Sequence, residues 1–154
     1  MTRQEQESAV LALTTELLSS LGFTYTTVTS CPYEDGIAVL IESEDAKYLI
    51  GDEGDRLDDL QYLINRMAQE KWADALRIRV DCDSYRERAE AKLLRRARSR
   101  AERVLQTGKP LQMEKLNAYQ RRLVHNELAK MPGIATASEE TDSRFKRITI
   151  SRCE

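Results

Sequence analysis

Residues 121–133 read Arg-Arg-Leu-Val-His-Asn-Glu-Leu-Ala-Lys-Met-Pro-Gly, and they decide the prediction for the C-terminal half of the chain. Arg121 and His125 are four residues apart, so on a helix they are stacked neighbours on one face. Pro132-Gly133 ends such a helix, because proline cannot continue it and glycine favours a C-terminal cap. The stretch therefore predicts a helix over residues 117–131 that presents an arginine beside the only histidine of the chain.

Basic residues follow this helix in the run Arg144-Phe145-Lys146-Arg147-Ile148-Thr149-Ile150, which predicts a strand over residues 144–151. A positive pair on a helix next to a positive strand is typical of a phosphate-binding surface. Arg121 is the predicted phosphate contact, bidentate where geometry allows, and His125 is predicted to donate a hydrogen bond or to stack on a base. The predicted helpers are Arg122, Arg144, Lys146 and Arg147.

A structural alternative for the same histidine stays open. His125 would then hydrogen-bond the turn near Thr136 or Ser138 and only hold Arg121 in place. The two roles are compatible with each other.

Length and composition limit the class of protein. A chain of 154 residues, 32% charged and 41% apolar, has the composition of a folded globular protein with one good core or two small ones. No apolar run reaches the length of a membrane span, and the first residues show no signal-peptide pattern. Three widely spaced cysteines fit neither a zinc site nor a disulfide framework. The sequence therefore predicts a soluble cytoplasmic protein without a metal or cofactor.

The small net charge of −2 conceals a division between the two halves. Residues 1–83 contain 7 Lys and Arg against 17 Asp and Glu, a net charge of −10. Residues 84–154 contain 17 against 9, a net charge of +8. A polyanion is attracted to the second half and repelled by much of the first, so the distribution predicts a nucleic-acid or acidic partner for the second half.

The N-terminal half alternates helical and extended patterns, which indicates an α/β (α+β) fold. The run Ile37-Ala38-Val39-Leu40-Ile41 is apolar throughout and predicts a central strand buried on both faces. The predicted order is a helix over 4–20, strands over 23–29 and 37–41, a short helix over 45–50, the tight loop Gly51-Asp52-Glu53-Gly54, a helix over 55–72 and a strand over 77–83.

A long helix is predicted over residues 84–106, where few helix-breaking residues occur. One face is apolar, and roughly the opposite face contains Arg88, Lys92, Arg95, Arg96 and Arg103. Arg95 and Arg96 are predicted to belong to a nucleic-acid-binding surface, although a solvated basic face is the ordinary alternative. Gly108-Lys109-Pro110 ends the helix. The predicted organisation is an N-terminal domain over 1–83, a connecting helix over 84–108 and a C-terminal domain over 109–154.

Two stretches resemble known domains. Residues 49–66, Leu-Ile-Gly-Asp-Glu-Gly-Asp-Arg-Leu-Asp-Asp-Leu-Gln-Tyr-Leu-Ile-Asn-Arg, resemble the KH domain of the bacterial Jag (SpoIIIJ-associated) proteins. The Arg-Arg-Leu-Val-His stretch resembles an R3H domain, together with residues 132–139 (Pro-Gly-Ile-Ala-Thr-Ala-Ser-Glu) and 147–150 (Arg-Ile-Thr-Ile). KH followed directly by R3H is the Jag arrangement, here expected without the extra N-terminal domain of longer Jag proteins.

The resemblance implies a type II KH domain joined by a long helix to a small R3H α/β domain. It implies binding of single-stranded nucleic acid, mainly RNA with single-stranded DNA as the alternative, and no catalysis. It also implies a protein partner, such as another KH protein or membrane-insertion machinery. The chain departs from the R3H pattern at Glu140, where the family has glycine.

The loop Gly51-Asp52-Glu53-Gly54 is the point where the residues and the resemblance disagree. A KH loop binds RNA because its glycines let the backbone approach and the next helix offers free N–H groups. Residues 42–59 contain eight acids against two cations, a net charge of −6. Each acid within about 6 Å of a phosphate costs on the order of 0.7 kcal/mol even in water. We therefore expect a weakened KH loop and binding mainly through the R3H residues and the basic helix.

Two other classes of function stay open. The acidic KH face suits an adaptor that docks a protein partner. A nuclease would use His125 as a general acid, but no nucleophile motif, paired carboxylates or metal cluster accompanies it. The sequence therefore predicts a binding protein rather than an enzyme.

Overall fold

The computed structural model describes residues 1–153, which contain both helices and strands as predicted. The chain divides into two compact units, Met1–Arg86 and a second that begins at Glu87. Within the described residues, no helix is both long and apolar enough to cross a membrane.

The first unit consists of helices packed on a three-stranded sheet. Strand β2 lies at the centre, antiparallel to β1 and parallel to β3. Buried apolar residues of α1, α3 and the sheet form one core, because the two helices pack their apolar faces on one side of the sheet. The elements are α1 (Arg3–Ser20), β1 (Thr27–Tyr33), β2 (Gly36–Glu42), α2 (Ala46–Ile50), α3 (Asp55–Lys71) and β3 (Ile78–Cys82).

Side chains of α3 cover the outer edge of β3. The amide of Asn65 donates to the carbonyl of Ile78 at 2.7 Å and accepts the N–H of the same residue at 2.9 Å. The Oε1 atom of Gln61 accepts the N–H of Val80 at 3.0 Å. An edge strand otherwise offers these backbone groups to a further strand. Gln61 and Asn65 satisfy their hydrogen bonds and so block the pairing of another strand with β3.

The sequence prediction for β1 and β2 was wrong in two respects. β1 covers Thr27–Tyr33 rather than 23–29, because the Cys31-Pro32-Tyr33 stretch pairs with β2 instead of forming the turn. Proline is tolerated there since β1 is an edge strand. β2 is central as predicted, but 42% of Leu40 is exposed. The helices cover one face of the sheet, and Leu40 points to the other together with Thr29 and Asp81.

The second unit packs two helices on another three-stranded antiparallel sheet, in the order β4-β6-β5. Its core contains Val124 and Leu128 of α5, Ile148 and Ile150 of β6, and the apolar face of α4. The elements are α4 (Tyr85–Thr107), β4 (Leu111–Gln112), α5 (Ala118–Leu128), β5 (Ile134–Ser138) and β6 (Ile148–Arg152).

The long helix α4 begins at Tyr85, close to the predicted start. Leu93, Ala97, Ala101 and Val104 are buried, which confirms the predicted apolar face. These residues pack in the core of the second unit, so the compact unit begins at Glu87 and contains almost the whole helix. The sequence predicted a separate connecting helix over 84–108 before a domain over 109–154, because Gly108-Lys109-Pro110 is the strongest local break.

The predicted basic strand over residues 144–151 was placed too early. β6 begins at Ile148, and before it only Lys146 makes a bridge, to Leu116. Arg144, Phe145 and Arg147 therefore lie outside the strand, in the segment that enters it. Alternation of apolar residues begins only at Ile148, where the side chains reach the core.

Candidate functional site

Helix α5 is held in place by a capping box and by its apolar face. Asn117 caps the helix, since its side chain accepts the N–H of Gln120 and the Gln120 side chain accepts the N–H of Asn117, both at 2.9 Å. Val124 and Leu128 are fully buried. This orientation leaves Arg121 and His125 half-buried at the side of the helix, next to β5 and the segment before β6.

His125 is hydrogen-bonded at both ring nitrogens. Its Nδ1 lies 2.6 Å from the hydroxyl of Thr136, and its Nε2 lies 2.9 Å from the hydroxyl of Ser138. A neutral imidazole donates at one nitrogen and accepts at the other, and a hydroxyl can do either. The predicted alternative of hydrogen bonds to Thr136 or Ser138 is confirmed, although these partners lie on strand β5 rather than on a turn.

Arg121 joins two segments of backbone that are distant in sequence. Its Nη1 donates to the carbonyl of Leu116 at 2.6 Å and to the carbonyl of Arg144 at 3.3 Å. The remaining N–H groups of the guanidinium, on Nη2 and Nε, are additional donors in the same planar fork. Arg121 therefore positions the segment before β6. The planar fork of its remaining N–H groups is also suited to binding an anion such as a phosphate.

The predicted helper cations either follow Arg121 directly in α5 or lie in the segment before β6, which Arg121 holds through its hydrogen bonds to the carbonyls of Leu116 and Arg144 (the Arg121 clamp). Arg122 is exposed and stacks over the ring of Tyr119 at 5.3 Å. Arg144 is brought beside Arg121 through its carbonyl, and its guanidinium lies 5.6 Å from the ring centroid of Phe145. Arg147 is exposed and only loosely paired with Glu139, at 4.0 Å. The fourth helper, Lys146, makes a two-hydrogen-bond bridge with Leu116.

The basic face of α4 is less free than its sequence indicated. Arg96 and Arg100 both bind the carboxylate of Glu114, at 2.6 and 2.8 Å. Burial opposes ionisation of this carboxyl, but the two guanidinium groups hold its pKa at about 2. Arg95, by contrast, is exposed and has no ion pair within residues 1–153. Arg96 was predicted to contact the ligand, yet its guanidinium is already paired with the carboxylate of Glu114.

The Gly51-Asp52-Glu53-Gly54 loop is a tight connection between α2 and α3. Its backbone needs glycine at both ends, where φ is 71° and 81°. A Cβ at Gly54 would lie 2.8 Å from the ring of Tyr85. Glu53 also has a positive φ, of 52°. The loop is therefore fixed in one shape by close packing.

Acidic side chains dominate the approach to this loop. Asp52 and Glu53 are exposed. The carboxylate of Asp55 accepts the N–H of Arg56 at 2.7 Å, in the first turn of α3. N–H groups at the start of a helix can bind a phosphate. In this chain the carboxylate of Asp55 already occupies one of them, and the weakened loop stays a prediction.

Several residues of the site were missed by the sequence analysis. Glu114 and the carbonyl of Leu116 are recruited from the segment before α5, and no local spacing connects them with the arginines that they bind. Phe145 had a visible signal, because an aromatic residue between cations is the pattern of single-strand binding surfaces. The strand prediction concealed this signal by assigning the residue to the sheet.

The pKa of His125 gives the site a predicted pH dependence. Burial and then the positive charge of Arg121 lower this pKa below its ordinary value of 6.5. The unfolded chain therefore binds this proton more readily than the folded chain. The contribution of His125 to stability is complete above pH 6.5 and decreases as the pH falls from 6.5 toward the folded pKa.

Two measurements check this dependence. His125 is the only histidine, so a single imidazole Cε1 proton resonance reports its titration without assignment. We expect its midpoint below pH 6.5 and a parallel decrease in the urea midpoint of unfolding. In the His125→Gln variant, this part of the pH dependence should vanish. A titration midpoint at or above 6.5 would contradict the buried, hydrogen-bonded imidazole.

Comparison with known proteins assigns the second unit. Residues 91–152 match the R3H domain family. The RNA-binding protein KhpB of Clostridium symbiosum is 31% identical over 118 residues, which cover 77% of this chain and 53% of that protein. The RNA-binding protein KhpB of Lactiplantibacillus plantarum is 36% identical over 94 residues, 61% of this chain and 29% of that protein. The matched region thus spans about half or less of these relatives. Residues 91–152 are an R3H domain, in a chain homologous to proteins named RNA-binding protein KhpB.

Proposed function

We propose that this protein binds single-stranded nucleic acid, RNA in preference to DNA, through its R3H domain. The observation that supports this most directly is the group of cations around the Arg121 clamp. Arg122, Arg144 and Arg147 are exposed there, and none is in a close ion pair within residues 1–153. Phosphate binding needs such available cations. Both relatives are named RNA-binding proteins, which supports RNA as the ligand.

We further propose that the first unit is a type II KH domain, over residues 1–83. Its element order, helix, strand, strand, helix, helix, strand, agrees with that topology, and the Gly51–Gly54 loop lies between the second and third helices. In this proposal α4 contributes exposed cations such as Arg95 to the nucleic-acid surface of residues 84–154. The acidic loop takes little part. A cytoplasmic location suits both the ligand and the widely spaced cysteines.

We propose binding without catalysis. Both ring nitrogens of His125 are within hydrogen-bond distance of hydroxyls of β5, so neither is directed at a leaving group. Incubation with end-labelled RNA, with and without Mg²⁺, tests this point. Cleavage that is abolished in His125→Gln would establish the nuclease alternative.

Fluorescence anisotropy tests the function itself. The probes are fluorescein-labelled 12-mers of single-stranded RNA and DNA of mixed sequence, and the duplex RNA of the same length. We expect the single-stranded RNA to bind most tightly, with an affinity that falls as salt rises because counterions are released. Absence of binding to all three probes at low salt would overturn the proposal.

Removal of the Glu114 carboxylate should strengthen this binding. In Glu114→Gln, Arg96 and Arg100 lose their partner and become available to phosphate. We expect a several-fold higher affinity for the RNA 12-mer and a steeper salt dependence, by about one unit of slope. The domain should lose only about 0.5–1 kcal/mol of stability, because these partly exposed ion pairs are screened by solvent.

A matched control separates release of the arginines from a general change of charge. Glu102→Gln removes an exposed carboxylate from α4, the helix that contains Arg96 and Arg100, so it alters the net charge equally. It should change affinity far less than Glu114→Gln. Equal effects of the two variants would show that Arg96 and Arg100 do not reach the RNA.

A specific observation favours a second function, in which the acidic first unit docks a protein. Tyr62 and Leu63 of α3 are 65% and 45% exposed, one turn after the acidic residues Asp58 and Asp59. A helix face of this kind suits an apolar partner surface flanked by cations. We expect a stoichiometric partner in a nuclease-treated pull-down, and its loss in Tyr62→Ser with Leu63→Ser. If the double variant still captures the partner, the face of α3 that contains Tyr62 and Leu63 is not the docking surface.

A further inference from the structure

Phe145 lies in the segment before β6, and 47% of it is exposed. One exposed apolar side chain is ordinary on a soluble protein. Phe145 differs in its surroundings, because Arg144 precedes it and Lys146 and Arg147 follow it. The acids of the same segment, Glu139, Glu140 and Asp142, come before Ser143, and within the described residues only Glu139 approaches a cation, Arg147 at 4.0 Å. The ring is thus an apolar surface set among cations.

The backbone on both sides of this ring is held by hydrogen bonds. On one side, the carbonyl of Arg144 accepts from Arg121 at 3.3 Å. On the other, Lys146 and Leu116 exchange two backbone hydrogen bonds, of 2.8 and 3.0 Å. The N–H of Phe145 itself donates to the hydroxyl of Ser143 at 3.3 Å. An exposed side chain on a fixed backbone is preorganised, which reduces the entropy lost when it binds a ligand.

The ring also has a partner of suitable chemistry. The guanidinium of Arg144 lies 5.6 Å from the ring centroid, within cation–π distance. A cation over one face leaves the remaining exposed surface of the ring for a second flat group. A base of single-stranded nucleic acid is such a group, and its phosphate can then reach the neighbouring cations.

We propose that Phe145 is a stacking platform for one unpaired base, and that Arg121 positions it by holding the carbonyl of Arg144. This inference rests on the proposed nucleic-acid binding and adds the residue that contacts a base. It also gives the Arg-x-x-x-His helix a specific task, since Arg121 fixes the loop that presents the aromatic ring. Stacking accepts any base, so the platform adds affinity for unpaired bases without strong sequence preference.

The test compares Phe145→Ala, Phe145→Leu and Phe145→Trp in the full chain. The probes are labelled 12-mer oligouridine, 12-mer oligoadenosine and an abasic ribose-phosphate strand of equal length. Phe145→Ala should bind the two base-containing strands about 5- to 150-fold more weakly, the range for loss of one base–aromatic stack. Phe145→Leu should bind as weakly as Phe145→Ala, because leucine keeps the apolar bulk but has no π face. Phe145→Trp should bind about as tightly as the wild-type protein.

Three readouts separate stacking from a structural role. The abasic strand should bind all variants equally, because it offers phosphates without bases. The salt dependence should stay unchanged in Phe145→Ala, since no phosphate contact is removed. In Phe145→Trp, the added indole fluorescence should be quenched by oligouridine and not by the abasic strand. Tyr25→Ala, which removes an aromatic residue of similar exposure (39%) from the first unit, is the matched control and should leave RNA affinity unchanged.

The outcomes distinguish this proposal from the function on which it rests. If Phe145→Ala binds the base-containing strands as tightly as the wild-type protein, the stacking role is overturned and nucleic-acid binding is left intact. Equal loss of the abasic and base-containing strands would also overturn it, because the defect would then lie in the fold or the phosphate contacts. If the wild-type protein binds none of the three strands, both the function and the stacking role fail.

Discussion

Arg121→Ala is expected to destabilise the R3H domain and to weaken the proposed binding of RNA. The variant leaves the carbonyls of Leu116 and Arg144 without the donor that joins them. Hydrogen bonds from a charged donor contribute about 1.5–3 kcal/mol, so we expect a decrease of this size in the free energy of unfolding, measured with urea. RNA affinity should fall by about 1–3 kcal/mol, and the salt slope should become shallower by about one unit if the remaining N–H groups contact a phosphate.

Two further variants separate the clamp from the charge. Arg121→Lys keeps the positive charge but cannot bridge two carbonyls in the same planar geometry, so it should lose stability while retaining most of the salt slope. Arg122→Ala removes an exposed cation from the next position and should leave stability within about 0.5 kcal/mol. Unchanged stability in Arg121→Ala would contradict the clamp, and unchanged affinity and slope would remove Arg121 from the interface.

Asp52→Lys with Glu53→Lys is expected to raise the RNA affinity of the first unit, which we propose to be a KH domain with a weakened loop. The double change alters the local charge by +4 and keeps both glycines, so the loop should retain its path. Four units of charge at about 6 Å from a phosphate correspond to roughly 3 kcal/mol at the dielectric of water, an upper limit that salt reduces. We expect about a 10- to 100-fold gain in affinity for the RNA 12-mer.

The measurement should be made in a background with a weakened R3H site, Arg144→Ala with Arg147→Ala, so that the gain from the loop is visible. Both loop positions are exposed, and stability should change by no more than about 0.5 kcal/mol. Glu34→Lys with Asp35→Lys, which adds the same charge to the turn between β1 and β2, is the matched control. An equal gain in that control would show a general electrostatic effect rather than a restored loop. Tight RNA binding by the unaltered acidic loop would contradict its weakening.

The largest corrections to the sequence analysis concern strands and ion pairs, for a common reason. Local patterns located α1, α3, α4 and α5 within a few residues, because helix periodicity and caps are properties of neighbouring positions. The start of β6 and the exposure of Leu40 depend on what packs across the sheet. A strand pattern alone does not specify this packing, so the same apolar run can be buried on one face only.

The sequence by itself determined the Arg-x-x-x-His spacing on one helix, the division of charge between the halves and the glycines of the acidic loop. Tertiary structure alone decided how those side chains are used. His125 reaches hydroxyls 11 and 13 residues away, Arg121 reaches a carbonyl 23 residues away, and Glu114 reaches an arginine 18 residues away. Hydrogen-bond and ion-pair partners at such separations are set by the packing of α4 and α5 against their sheet, and no local spacing encodes them. The same packing left Phe145 exposed on a fixed backbone, where it is available to a base.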